Sequence, residues 1–258
     1  MTNHRQQKRD LLDALKTYRH RLARTDDMPD EETIHKIRVL TKRVRAEATL
    51  WGRAKSVTNI RKEAKKLARC LAPTREAQVM RGLFEQLFAA ELEESAALRD
   101  IYQALLAEEA KTPLSPGKLT RRLRSVQKGV KRVNLKVIKP VAYPSLLNRA
   151  QSEILRCYTQ LKPEQRESYH DWRKAVKAYL FLAKVEPGFK ADRRHKQLKV
   201  LGEKLGLLHD LHQLDDWLAM HGHGLLPRHR AVLDNYEEAL KTAIAKKARQ
   251  SLKCWRLR

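Results

Sequence analysis

An internal repeat is the feature of this 258-residue chain that most constrains its fold. The segment HKIRVLTK, from His35 to Lys42, recurs as HDWRKAVK, from His170 to Lys177, 135 positions later. A second pair, LAPTREAQ from Leu71 and LGLLHDLH from Leu205, recurs at a spacing of 134 positions. Two registers that agree within one residue over about forty positions predict two structurally similar halves.

Proline and glycine mark the joints between segments that carry helical periodicity. The chain has only nine of each and is otherwise rich in Leu, Ala, Lys, Arg, Glu and Gln, all favourable in helices. The predicted fold is therefore all-α, with an extended linker at 133–143. Nine helices are predicted, over residues 4–24, 31–55, 57–89, 92–111, 117–133, 145–162, 165–186, 190–220 and 228–254.

Pro73 lies inside the predicted helix 57–89, whereas its counterpart in the second half is Leu207. Proline lacks the amide hydrogen that a helix interior needs, so a kink is expected at this level in at least one half. The repeat and the helices together predict two four-helix repeats, residues 1–115 and 141–258. A basic bridging helix and linker at 116–140 would join them.

The charge balance points to a polyanionic partner. There are 55 Lys and Arg against 30 Asp and Glu, a formal net charge of +25. Inorganic polyphosphate, nucleic acid and an anionic membrane surface are the classes of partner that this favours. The three cysteines have no paired spacing, which favours a reducing compartment. No signal peptide or apolar segment of about 20 residues is present, so we expect a cytoplasmic protein without membrane insertion.

The helix around IHKIRVLTKRVR carries its cations on one face. At about 100° per residue, His35, Arg38 and Lys42 share an arc, and apolar residues fill the opposite one. Between Ile34 and Arg69 there are twelve Lys or Arg but only two acids, so few ion pairs are available to neutralise this face. Exposed cations at helical spacing often form a plain solvated face, but the shortage of carboxylates favours anion binding.

These motifs resemble the CHAD family, the conserved histidine α-helical domain. The similarity rests on HxxRVxxKRxRA in the first half, HxxRKxxK in the second, and the pairs Arg75–Glu76 and His209–Asp210. The resemblance implies one CHAD domain over 1–258, with two four-helix bundles related by a pseudo-twofold axis and a basic groove or pore between them. It also implies non-catalytic binding of inorganic polyphosphate. The second copy departs from the family's KRxRY continuation, because Ala178 and Leu180 stand where it has cations and Phe181 stands where it has tyrosine, so weaker binding is expected there.

The predicted polyphosphate contacts combine planar Arg forks, mobile Lys charges and imidazole donors. His35 and His170 are expected to open their helices, where free amides and a protonated ring favour phosphate; a structural role, such as capping, is the alternative. The predicted site comprises His35, Arg38, Lys42, Arg45, Lys62, Lys65, Arg69, His170, Arg173, Lys174, Lys177, Lys196 and Lys199, with Arg121, Arg122 and Arg124 as further contacts.

Other functions have weaker signals. The motifs HDLH and HGHG invite a metal site, but HExxH or a comparable spacing is missing, so neither a metal nor a cofactor is predicted. No Walker loop or nucleophile elbow indicates an enzyme. The main alternative is a nonspecific DNA- or RNA-binding protein, although the basic stripes lack aromatic residues on which bases stack. Association with polyphosphate granules and with polyphosphate-metabolising enzymes is a further expectation.

Overall fold

Helices account for all regular structure in the residues that the structure describes, 2–24, 29–111, 115–137, 141–186 and 189–253. The structure is a computed structural model. The all-α prediction is confirmed for these residues. In chain order the ten helices are α1 Thr2–Leu22, α2 Glu31–Leu50, α3 Lys55–Cys70, α4 Ala72–Phe88, α5 Ala96–Lys111, α6 Pro116–Arg132, α7 Tyr143–Thr159, α8 Arg166–Ala183, α9 Arg193–Met220 and α10 Pro227–Leu252.

The predicted helix 57–89 is two helices, which explains why there are ten and not nine. α3 ends at Cys70 and α4 begins at Ala72, with Leu71 between them. Pro73 is the second residue of α4, where the missing amide hydrogen is tolerated because first-turn amides have no intrahelical acceptor. The interruption expected in at least one half therefore lies in this one, at Leu71, whose backbone stays in the right-handed helical region and still donates to the Leu67 carbonyl oxygen. In the second half α9 continues without interruption through Leu207.

One compact unit, called unit 1, is assembled from three stretches of chain, Met1–Glu76, Glu109–Asn148 and Phe181–Phe189. Within it α1 packs against α2, α2 against α3, α3 against α6 and α6 against α1, so the four helices form a ring. In this ring α6 lies diagonally across from α2. Fully buried aliphatic side chains from all four helices, among them Leu15, Ile37, Ile60 and Leu123, fill its core.

The second compact unit, unit 2, comprises Ala77–Glu108, Arg149–Leu180 and Lys190–Arg258. α9 packs along α10, and the core includes the fully buried Trp172 and Phe84. α8 approaches α9 closely at Gly202. A Cβ atom at this position would lie 3.1 Å from Val176 Cγ1, so the packing depends on the absence of a side chain.

Ion pairs join α8, α9 and α10 in unit 2. The guanidinium of Arg166 contacts Asp215 and lies 2.7 Å from Asp216. Arg230 contacts the same Asp215 and lies 3.0 Å from Asp234. Most of these groups are partly exposed, so the network is worth little per pair, but it leaves few free carboxylates on this side of unit 2.

The helix predicted as a bridge, α6, has two packing partners in unit 1, and Lys8 of α1 also holds its end. The Lys8 ammonium donates to the carbonyl oxygens of Lys131 at 3.0 Å and Val133 at 2.7 Å. No strand occurs in the described part of the predicted linker; residues 138–140 lie outside the description. The division into 1–115, 116–140 and 141–258 follows the sequence repeat and stays a prediction.

Candidate functional site

The basic stripe of α2 lies on the outer side of unit 1. Its apolar face, which includes Ile37 and Val44, is fully buried. His35 and Arg45 on the stripe are exposed. Arg38 and Lys42 on the same stripe are half-buried. The helical periodicity of about 100° per residue therefore predicts correctly which side chains of α2 face away from the core.

His35 sits among cations. Partial burial first, and then Arg75, Lys42 and Arg38, lower its pKa, whereas Glu31 raises it. Arg75 reaches α2 from the start of α4 and forms an ion pair with Glu31. The His35 imidazole is therefore neutral at pH 7 when no anion is bound, and its surroundings already carry excess positive charge.

The prediction that His35 and His170 open their helices is wrong. Each is the fifth residue of its helix, because α2 begins at Glu31 and α8 at Arg166. The free end of α2 is capped by Asp30, whose carboxylate accepts a hydrogen bond from the Thr33 amide at 2.6 Å. A negative side chain occupies the place where a phosphate oxygen was expected.

On α3, Lys62, Lys65 and Arg69 are exposed, and none forms an ion pair within the described residues. The same acid-poor run contributes a cation that the sequence prediction missed. Arg61, together with partial burial as the larger cause, lowers the pKa of Arg45, so the two guanidinium groups lie near each other where α3 packs against α2. An anion bound at the junction of α2 and α3 would relieve the repulsion between these two groups. The helical wheel of α3 alone does not show which neighbour Arg61 faces.

Lys42 has an aromatic partner in unit 1. Its ammonium nitrogen lies 5.5 Å from the ring centroid of Phe181. Phe181 stands where the family pattern has a tyrosine, so an aromatic ring is kept at this position. An aromatic face near an ammonium group orients the lysine without neutralising it.

The further contacts predicted on α6 do not lie beside the α2 stripe. Arg121 and Arg124 are exposed and Arg122 is half-buried, all on the helix diagonal to α2. The structure therefore places the predicted residues of α6 away from the α2 stripe, on a helix that packs against α3.

In unit 2, the predicted histidine pairs with a second one. His170 Nδ1 and His209 Nδ1 are 3.1 Å apart, and the ring centroids are separated by 4.5 Å. Burial is the main cause that lowers both pKa values, and neighbouring cations, Arg173 and Lys174 among them, add to it; the pKa of His209 falls to about 3. Both pKa values lie below the ordinary value of 6.5, so both rings are mainly neutral at pH 7, and one Nδ1 donates to the other.

Arg173 is the least solvated cation of the predicted set. Its Nε atom is buried and has no hydrogen-bond acceptor. Burial lowers the pKa of the guanidinium, and Asp210 opposes this shift. Leaving a buried charged donor without an acceptor is unfavourable, so an anion oxygen that reaches this atom gains a strong hydrogen bond.

Carboxylates neutralise several of the remaining cations in unit 2. The Lys174 ammonium lies 2.9 Å from Asp171, and that of Lys199 lies 3.6 Å from Glu203. Lys177 is half-buried, and Lys196 is exposed.

The histidines just beyond the end of α9 pack against Trp217. His221 and His223 both stack on the indole, with ring centroids at 4.5 and 5.2 Å. Across the described ranges, no three His, Cys, Asp or Glu side chains lie close enough together to hold a metal ion. Among the described helices, none is long and apolar enough to span a bilayer.

The described residues form an all-α domain with basic faces, and the comparisons give its family. The model of the CHAD domain family matches residues 6–219. The crystal structure of the CHAD domain from the plant Ricinus communis is similar, with a TM-score of 0.62 and 19% sequence identity. The match covers 95% of this chain and 89% of that one. A search of curated proteins found no match.

The chain belongs to the CHAD family. The similarity to the plant domain is at low sequence identity and therefore supports the fold alone. The resemblance inferred from the repeated histidine and arginine motifs is therefore confirmed.

Proposed function

We propose that this protein binds inorganic polyphosphate without chemical turnover, using the cations of α2, α3, α8 and α9. The observation that carries the proposal is the α2–α3 surface, where Arg45 and Arg61 repel each other and Lys62, Lys65 and Arg69 have no ion pair among the described residues. A phosphate polymer relieves this repulsion and supplies acceptors for each donor. The resemblance to the CHAD family supports a phosphate polymer over other polyanions.

In each half, a residue at the same position of the repeat interacts with the motif histidine. This correspondence supports binding of the polymer by both repeats. Arg75 in the first half matches His209 in the second, and each acts on the matched histidine, His35 or His170. The predicted pseudo-twofold arrangement with a shared groove is part of this proposal, as are cytoplasmic localisation and association with polyphosphate granules.

Three charge reversals on α3 test the proposal. Lys62→Glu, Lys65→Glu and Arg69→Glu together should weaken binding to polyphosphate of defined length by at least about a hundredfold, since three charge-assisted contacts are lost. The slope of log affinity against log salt should also become shallower by about 2. The readout is fluorescence anisotropy over a range of salt concentrations.

The matched control carries the same change in net charge on α10, with Lys246→Glu, Arg249→Glu and Lys253→Glu. All three positions are exposed and none forms an ion pair within the described part of the chain. If both triple variants lose affinity equally, net charge and not the α2–α3 surface governs binding, and the proposed site is wrong.

Nucleic acid is the second candidate, favoured only by the net charge of +25. A competition at equal phosphate concentration separates the two. Polyphosphate should displace DNA from the wild-type protein, because the basic stripes offer charge but no stacking surface for bases. Failure to displace it would assign the surface to nucleic acid.

A further inference from the structure

The strongest unassigned charged surface of the molecule is the outer face of α6. This helix carries seven Lys and Arg and no Asp or Glu. Its apolar residues Leu119, Leu123, Val126 and Val130 are fully buried, so the cations point away from the core. Six are exposed, namely Lys118, Arg121, Arg124, Lys128, Lys131 and Arg132.

Neighbouring helices add positive charge to this face. Among the described residues, none of the seven cations forms an ion pair. From α1, the Arg19 guanidinium donates to Gln127 Oε1 at 2.8 Å, and the Lys8 ammonium donates to the carbonyl oxygen of Val133, just beyond the end of α6. The only acid of α3, Glu63, is paired with Lys66 at 2.7 Å. The local imbalance of charge is therefore not relieved within unit 1.

This face is separate from the surface of α2. In the ring of four helices α6 and α2 are diagonal, so their outer faces point to opposite sides of unit 1. Exposed charges interact only weakly beyond about 8 Å at physiological salt, so the two faces act on an anion independently. A short polyanion segment on α2 cannot also cover α6.

The chemistry of the α6 face fits a bare phosphate chain. The cations recur every three or four residues along 17 residues, a row of about 25 Å that suits an extended linear anion. The helix has no aromatic residue for base stacking, and its exposed face has no apolar side chain to enter a lipid surface.

We infer that the outer face of α6 binds a second segment of polyphosphate, so that one protein molecule cross-links two chains or two parts of one chain. The inference rests on the proposed function. Arg121, Arg122 and Arg124 would then belong to this separate site and not to the α2–α3 site. Two independent sites turn a binder into a cross-linker, because a long chain that occupies both gains avidity and bridges molecules.

The test compares wild-type protein with a variant altered on α6 alone, Lys118→Glu, Lys128→Glu and Arg132→Glu. The α10 triple variant serves again as the charge-matched control, and circular dichroism checks that all proteins fold. Titration calorimetry with polyphosphate shorter than about 25 Å should count one fewer bound chain for the α6 variant than for wild type and control.

Long polyphosphate gives the second readout. Wild type and control should form assemblies that scatter light, and their apparent affinity should exceed that of the α6 variant by about a hundredfold. With short chains, affinity at the remaining site should change by less than about threefold.

The outcomes separate this inference from the proposed function. If the α6 variant counts the same number of short chains and scatters like wild type, α6 is not a site, although the protein still binds polyphosphate. If it loses all binding, α6 belongs to one continuous site and the inference is equally wrong. If the α6 face holds DNA but no polyphosphate, its occupant is wrong. No binding of polyphosphate by wild type would remove the proposed function itself.

Discussion

The two units carry repeated motifs but differ in how far carboxylates pair with their cations. In unit 1 α2 packs against α3, and burial together with the nearby guanidinium of Arg61 lowers the pKa of Arg45. In unit 2 carboxylates pair with Lys174 and Lys199, although the buried Nε of Arg173 has no acceptor. Lys65 of unit 1, the counterpart of Lys199, forms no ion pair among the described residues, so the matched lysines differ in how far their charge is neutralised. The same sequence pattern does not guarantee the same affinity.

The largest expected effect compares matched lysines in the two repeats. Lys62→Ala with Lys65→Ala should weaken polyphosphate binding by about a hundredfold, because two unpaired cations are lost. Lys196→Ala with Lys199→Ala should weaken it by about tenfold or less, since Glu203 already neutralises Lys199. Anisotropy at fixed salt gives both dissociation constants. Equal losses would show that the units grip the polymer equally.

Acid should destabilise unit 2 through the histidine pair. Burial lowers the pKa of His209 to about 3, so below the unfolded value near 6.5 the unfolded chain binds more protons than the folded one. Stability is full above pH 6.5 and is lost as the pH falls through that value toward 3. Between pH 7 and pH 5 the loss for His209 is about 2 kcal/mol.

Thermal unfolding at the two pH values measures this effect. His209→Asn keeps a polar partner for His170 but cannot titrate, so its melting temperature should depend less on pH over this interval. An unchanged pH dependence in the variant would remove His209 as the cause.

A rise in pH from about 4.5 to 7 should destabilise unit 1 through Glu47, which is 1% exposed. Burial raises its pKa to about 7, against the attraction of Arg43, whose Nε donates to Glu47 Oε1 at 2.8 Å. The neutral acid is favoured in the fold, so its stabilising effect is complete below pH 4.5 and is lost as the pH rises through 7. Glu47→Gln should therefore raise the free energy of unfolding by about 1 to 2 kcal/mol at pH 8 and by much less at pH 5.

Urea unfolding at pH 5 and pH 8 tests this prediction. The two units would then respond to pH in opposite directions, unit 2 losing stability as the pH falls and unit 1 as it rises. A variant that is no more stable than wild type at pH 8 would show that the Arg43 contact, and not burial, dominates.

The smallest expected effect concerns two glycines of α9. At Gly202 a Cβ atom would lie 3.1 Å from Val176 and 3.4 Å from Leu180, whereas at Gly206 the nearest atom is Arg173 Nε at 4.0 Å. Alanine favours helix over glycine by about 1 kcal/mol. Gly206→Ala should therefore raise the free energy of unfolding by most of this amount. In Gly202→Ala, crowding against Val176 and Leu180 should cancel the gain. Melting temperatures of the two variants should differ by several degrees, and equal values would contradict the close approach of α8 to α9.

Local patterns predict which segments are helical and which side faces the core, because proline position and apolar periodicity are properties of a single helix. Pro73 marks the break after Cys70, and the wheel places His35 and Arg45 on an exposed face. The position of a charge relative to another helix is a tertiary property. For that reason the sequence does not predict that Arg61 lies near Arg45 or that His209 contacts His170. It also does not predict which helices α6 packs against.

Unit 1 is discontinuous in the chain, and this has a consequence for synthesis on the ribosome. α1, α2 and α3 are complete by Cys70, but the ring that buries their apolar faces closes only when α6 ends at Arg132. At about 5 to 20 residues per second, translation leaves the three-helix intermediate open for about 3 to 12 s. A nascent chain of this protein is therefore exposed to aggregation, and to capture by chaperones, in a window that any rearrangement of the gene would lengthen or abolish.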